Sequence, residues 1–129
     1  MPELLGIDNV MFAVADLGAA VAFYEACGLV VKFRIDTAGM ALFTIGHEAP
    51  GLLIRASGGS GPGTIGAAGG GKFWVEVPDA DAAAVELNAR GIATSRLETM
   101  TGVTVEATDP SGNVLGFADY SKRPELGRT

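Results

Sequence analysis

The sequence predicts an α+β fold made of two tandem βαβββ modules. Three observations carry that prediction. The chain repeats itself at a spacing of 63 residues, each copy reads as strand, helix and then strands, and a Gly-rich stretch separates the copies. In the overlay, VMFAVADLGAAVAFYEACGL (10–29) meets FWVEVPDADAAAVELNARGI (73–92). Asp16 falls on Asp79, Ala19 on Ala82, Ala20 on Ala83, Ala26 on Ala89 and Gly28 on Gly91. The apolar positions follow, with Val10 on Phe73, Phe12 on Val75, Val14 on Val77 and Leu29 on Ile92.

Each element has a local cause. Residues 7–14 and 72–77 are short runs rich in β-branched and aromatic side chains, the composition of a strand. Asp16, and Asp79 or Asp81, stand where a helix N-cap belongs, because a carboxylate accepts the unpaired N–H groups of a first turn. Residues 17–27 and 80–90 are Ala-rich helices; the first has an apolar face that includes Leu17, Ala20, Val21 and Tyr24. Gly28 and Gly91 supply the left-handed position that ends a helix. Strands are expected at 29–36, 40–46 and 51–56 in the first copy, and at 93–97, 102–108 and 113–119 in the second. Asp109-Pro110-Ser111-Gly112-Asn113 is a turn by composition. The stretch 57–71 holds eight Gly and one Pro, so it packs no core and reads as a linker or a lid. The polar segment 120–129, YSKRPELGRT, is expected to fray.

Composition narrows the function. A chain of 129 residues, 48% hydrophobic and 19% charged, suits one compact domain with a real core. The net charge is -6 and the pI is about 4.6. Nine Lys and Arg, scattered without a cluster, make no basic face for nucleic acid or an anionic membrane. The single cysteine, Cys27, excludes an internal disulfide and a zinc knuckle, and reads as a small buried hydrophobe. The single histidine, His47, excludes a His-rich metal site and falls in a loop before Pro50. The first residues, MPELLGIDNV, do not read as a signal peptide, and no apolar run is long enough for a spanning helix. The expected setting is a reducing cytoplasm.

Three stretches, IDNVMFAVADLGAAVAFYEACGL, FWVEVPDADAAAVELNARGI and DPSGNVLGF, resemble the vicinal oxygen chelate superfamily over roughly residues 5–120. That superfamily includes glyoxalase I, extradiol dioxygenases, fosfomycin-resistance enzymes and bleomycin-resistance proteins. The resemblance implies curved mixed sheets that together enclose a cavity. It also implies homodimers, sometimes with modules exchanged between chains. Metal-dependent members place one ligand on the first strand and one on the last strand of each module. Carried onto this sequence, those positions are Asn9 and Leu53 in the first module and Lys72 and Gly116 in the second. These four residues make no divalent site: Leu and Gly lack donor atoms, Lys is a cation, and Asn alone is a weak ligand. The resemblance therefore points to the metal-free branch of the superfamily, with no cofactor.

Strand alternation sorts the rest of the cavity lining that the resemblance implies. With Asn9 go Met11 and Ala13; with Lys72 go Trp74 and Glu76; with Leu53 goes Arg55; with Gly116 go Val114 and Ala118. Phe43 is counted with them. The lining is mostly apolar, carries the only Trp, and is roomy at positions 13, 116 and 118. Arg55 or Lys72 is expected to pair with Glu76. Such a surface suits a flat aromatic ligand that stacks on Trp74, with Met11 adapting to it.

The expected function is sequestration of an aromatic antibiotic or natural product by a binding protein. The alternative is a metal-independent isomerase or lyase, with Glu76 as base and Lys72 or Arg55 holding an oxyanion; carboxylates beside cations make poor bases, which weighs against it. Further alternatives are a regulatory subunit with a vestigial cavity, or a glyoxalase-like enzyme with a shifted site using His47 and Glu48.

Overall fold

A computed structural model of the chain describes residues 1–57 and 67–128. Positions 58–66 of the predicted linker or lid lie outside the described residues. The chain divides into two compact units, Met1–Gly69 and Gly70–Thr129.

The first unit holds strand β1 (Asn9–Val14), helix α1 (Leu17–Ala26) and strands β2 (Val30–Ile35), β3 (Met40–Ile45) and β4 (Glu48–Ala56). The second holds β5 (Lys72–Glu76), α2 (Ala80–Ala89), β6 (Ser95–Glu98), β7 (Val103–Thr108) and β8 (Val114–Ala118). Each unit is the expected βαβββ module. The strand orders are β1-β4-β3-β2 and β5-β8-β7-β6. The first and last strands of a module pair in parallel and the other neighbours are antiparallel, so both sheets are mixed. Residues 7 and 8, expected to open the first strand, precede it.

The helices begin and end as their sequences dictate. Asp16 accepts from the Ala19 backbone N–H at 3.0 Å, and Asp79 accepts from Ala82 at 3.0 Å, so Asp79 rather than Asp81 is the second cap. Asp81 instead pairs with Arg96 at 2.8 Å. At the other end Gly28 (φ 97°) and Gly91 (φ 81°) take the left-handed turn. Their N–H groups bond Glu25 O and Asn88 O, and the next residues, Leu29 and Ile92, bond Tyr24 O and Leu87 O. Both helices thus end in the same double hydrogen-bond motif, which satisfies carbonyls that a bare helix end leaves unpaired.

The core of the first unit lies between α1 and its sheet. Phe12, Val14, Ala41, Phe43, Leu52 and Ile54 are buried with Val21 and Tyr24 of the helix. The Tyr24 ring sits 5.7 Å from Phe43 and 6.4 Å from Phe12, centroid to centroid. In the second unit Val105, Ala107, Leu115 and Phe117 are buried with Leu87 of α2. Cys27 is buried and free of disulfide. Among the described residues no helix is long and apolar enough to cross a membrane.

Two buried carboxylates tie the second unit together. Asp109 accepts from the Ser111 and Asn113 backbones and from the Asn113 side chain, which closes the predicted turn. Asn113 then accepts from Gly71 N–H at 3.0 Å, joining that turn to the start of β5. Asp119 accepts from Ala80 at the start of α2, from Val103 at the start of β7, and from the Ser121 backbone and hydroxyl. Burial pushes the Asp119 carboxyl up, but these four donors outweigh it and hold the group down at about 2.

The segment after β8 is not frayed over its described residues. The Lys122 N–H bonds Thr101 O, the Lys122 ammonium bonds Thr99 O, and Pro124–Leu126 form a short 3-10 turn. Arg128 then reaches back to Glu76. Composition alone marked this segment as solvated. The carboxylate and carbonyls that hold it come from residues far away in the chain.

Candidate functional site

The candidate site residues other than Phe43 fall on the sheet faces turned away from the helices. In the first unit Asn9 pairs with Gly51, Met11 with Leu53 and Ala13 with Arg55. The row continues from Leu53 to Leu42 and from Leu42 to Phe33. Met11, Leu53, Leu42 and Phe33 therefore stand side by side across four strands as an apolar band, with Met11 58% exposed. Asn9 turns its side-chain oxygen to the Gly51 N–H at 3.2 Å, which ties β1 to β4. Ala13 is buried.

Phe43 is not part of that group. It pairs with the buried Leu52 and packs on Tyr24, so it lies on the helix side. The reason is register. Between the modules the first and last strands repeat at 63 residues, Met11↔Leu53 becoming Trp74↔Gly116. The third strand repeats at 64: Leu42 pairs with Leu53, and Glu106 pairs with Gly116. A uniform shift of 63 sets Glu106 against Phe43, yet the two face opposite ways.

In the second unit the equivalent row is Trp74, Gly116, Glu106 and Ser95. Gly116 is the centre of it. A Cβ built there would meet the Trp74 indole, at 2.6 Å from Nε1 and 2.9 Å from Cγ, with Cδ1 closer still. The space expected to stay open for a ligand is thus filled by the indole itself. Across Gly116 the indole N–H donates to Glu106 Oε2 at 2.8 Å. Lys72, on the next row of β5, places its ammonium 2.7 Å from the same oxygen. Desolvation raises the Glu106 carboxyl, but the hydrogen bonds from Lys72 and Trp74 and the Lys72 charge leave it below the ordinary range. Trp74 remains 45% exposed.

Within its own unit Glu76 pairs with Arg128 and not with Lys72. Arg128 donates its backbone N–H to Oε2 and its guanidinium N–H to Oε1, both at 2.7 Å. The Arg128 hydrogen bonds hold the Glu76 carboxyl below its usual range. Lys72 is taken by Glu106 instead. Sequence reasoning missed both Glu106 and Arg128. For Glu106 the signal was present in VTVEAT (103–108), where the polar Thr104, Glu106 and Thr108 alternate with the apolar Val103, Val105 and Ala107. For Arg128 no local signal exists, because its partner lies 52 residues away.

The four positions that would hold a metal in this fold do not fit one. Asn9 spends its oxygen on Gly51, Leu53 has no donor, Lys72 is ion-paired, and Gly116 lies under an indole. His47 sits in the turn between β3 and β4 beside Glu48. Among the described residues no three His, Cys, Asp or Glu side chains cluster to hold an ion there or elsewhere.

Comparison with known proteins agrees with this architecture. The profile of the Glyoxalase/Bleomycin resistance protein/Dioxygenase superfamily matches residues 6–117, and the chain belongs to that superfamily. Among solved structures, a lactoylglutathione lyase from Agrobacterium tumefaciens is 24% identical, with TM-score 0.74, covering 92% of this chain and 96% of its own. TnmS3, an antibiotic binding protein from Streptomyces sp. CB03234, is 21% identical, with TM-score 0.70, covering 92% and 100%. A glyoxalase/bleomycin resistance protein/dioxygenase from Nocardioides is 19% identical, with TM-score 0.72, covering 100% and 92%. At these identities the likeness is one of fold. No curated protein matches the sequence.

Proposed function

We propose that the chain is a small-molecule-binding protein that holds an aromatic antibiotic or natural product by stacking on Trp74. One observation carries the reading. The indole is fixed from below by Gly116 and at its edge by Glu106, yet Trp74 as a residue remains 45% exposed. An exposed aromatic normally costs free energy, and holding one rigid pre-organises a stacking surface. The fold shared with an antibiotic binding protein supports the same reading. The donor set at the four family positions supports binding without metal chemistry. Glu76 is a poor general base, because Arg128 occupies both oxygens and holds the carboxyl ionised.

The test is titration of the purified protein with a panel of aromatic antibiotics, following Trp74 emission. Trp74 is the only Trp, so the signal reports one place. Saturable quenching, with the ligand recovered intact, is the expected result. No response from any aromatic compound in the panel would overturn the reading, and chemical conversion of the ligand would replace it with an enzyme.

A further inference from the structure

The Glu106 carboxylate is used on one side only. Its Oε2 accepts both the Trp74 indole N–H and the Lys72 ammonium. Its Oε1 takes no hydrogen bond among the described residues. The side chain is only 15% exposed, so it is held in the sheet face rather than waving in solvent. A carboxylate has room for about four hydrogen bonds, and half of that capacity remains on Oε1. Bonded to the same carbon as Oε2, that oxygen lies beside the indole edge that Oε2 holds, and the two residues belong to one cross-strand row.

We propose that Glu106 selects the aromatic ligand: its Oε1 accepts a hydrogen bond from an N–H or O–H on the rim of the ring stacked on Trp74. The inference deepens the stacking reading and rests on it. A ring laid on the indole takes water away from Oε1. If the ring brings a donor, the lost water is replaced. If it brings only C–H or an acceptor, a charged oxygen is left without a partner, which is the costly case. Lys72 already balances the Glu106 charge at 2.7 Å, so the site discriminates by hydrogen bonding and needs no cationic ligand. The ligand class is therefore a flat, largely apolar, neutral aromatic with a donor on its edge.

Carbazole and dibenzofuran test this directly. They share shape and area, and differ in carrying N–H or O at the same rim position. Equilibrium dialysis against the intact protein gives both affinities. Carbazole is expected to bind about ten-fold tighter. In Glu106→Gln the carboxamide oxygen still accepts from the indole, while the arm facing the ligand becomes a donor. The preference is then expected to vanish or reverse, with Trp74 emission unchanged in the free protein. Equal binding of the two compounds to the wild type would overturn the proposal and leave the stacking platform standing. An unchanged preference in Glu106→Gln would overturn it as well. Failure of both compounds to bind would remove the platform and the selectivity together. The wild-type comparison needs no variant to fold.

Discussion

Trp74 lies where Gly116 has no side chain. The indole crosses the empty position on the middle strand and reaches Glu106 on the strand beyond it, at 2.8 Å. Two consequences are joined in this contact. The glycine is needed for the packing of a large side chain, and the large side chain gains a fixed orientation on an exposed sheet face. The polar and apolar parts of the row are thus positioned by backbone register alone.

Replacing Gly116 with Ala should expel the indole. The added Cβ falls within 2.6 Å of Nε1 and 2.9 Å of Cγ, which no small adjustment relieves. Overpacking of this kind costs about 1–3 kcal/mol, read from denaturant unfolding. The Trp74 emission should shift to the red as the ring swings into water. An unshifted spectrum would mean that the ring does not lie over Gly116 in solution.

Phe43 should behave as core. Phe43→Ala is expected to lower stability by about 3–5 kcal/mol, because it opens a cavity against Tyr24. Its ligand affinity, measured where the variant is fully folded, should stay near that of the wild type. A variant of unaltered stability that loses ligand would return Phe43 to the binding surface.

Asp119 should make the protein acid-sensitive in a defined window. Its folded value is about 2, against 3.8 for the free group, so the folded state prefers the ionised form. That preference contributes roughly 2 kcal/mol, fully present above pH 4. It is lost as pH falls from about 4 towards 2, where the native carboxylate finally takes a proton. Asp119→Asn should be less stable near neutrality and flatter across this window. Unfolding curves measured at several pH values check it, and parallel curves for both proteins would contradict it.

Arg128→Ala should release Glu76. The carboxyl should then titrate at higher pH than in the wild type, back towards the ordinary range, as seen by carboxyl-carbon NMR. Arg128 is 70% exposed at its side chain, so the loss of global stability should be small. An unchanged titration would mean that the guanidinium does not hold Glu76 in solution.

Much of this was legible in the sequence, and the reasons are local. Asp16 and Asp79 start helices and Gly28 and Gly91 end them, and these are short-range events within one or two turns. The parallel pairing of first and last strands kept the 63-residue spacing, so Met11 stands beside Leu53 as Trp74 stands beside Gly116. The third strand did not keep it: against the last strand its pairing is offset by one residue, Leu42 standing opposite Leu53 and Glu106 opposite Gly116. A one-residue slip reverses every side chain on a strand, and this hid Glu106 and misplaced Phe43. The clasp between Arg128 and Glu76 depends on a chain reversal that composition does not encode.

The Lys72, Trp74, Gly116 and Glu106 group draws on three neighbouring strands and on no loop. Its counterparts in the first sheet are Asn9, Met11, Leu53 and Leu42 at the same levels. An arrangement of this kind is portable. Four exchanges, Asn9→Lys, Met11→Trp, Leu53→Gly and Leu42→Glu, would write the same short phrase onto the other copy of the scaffold. The turns of either module would remain free to vary without touching it.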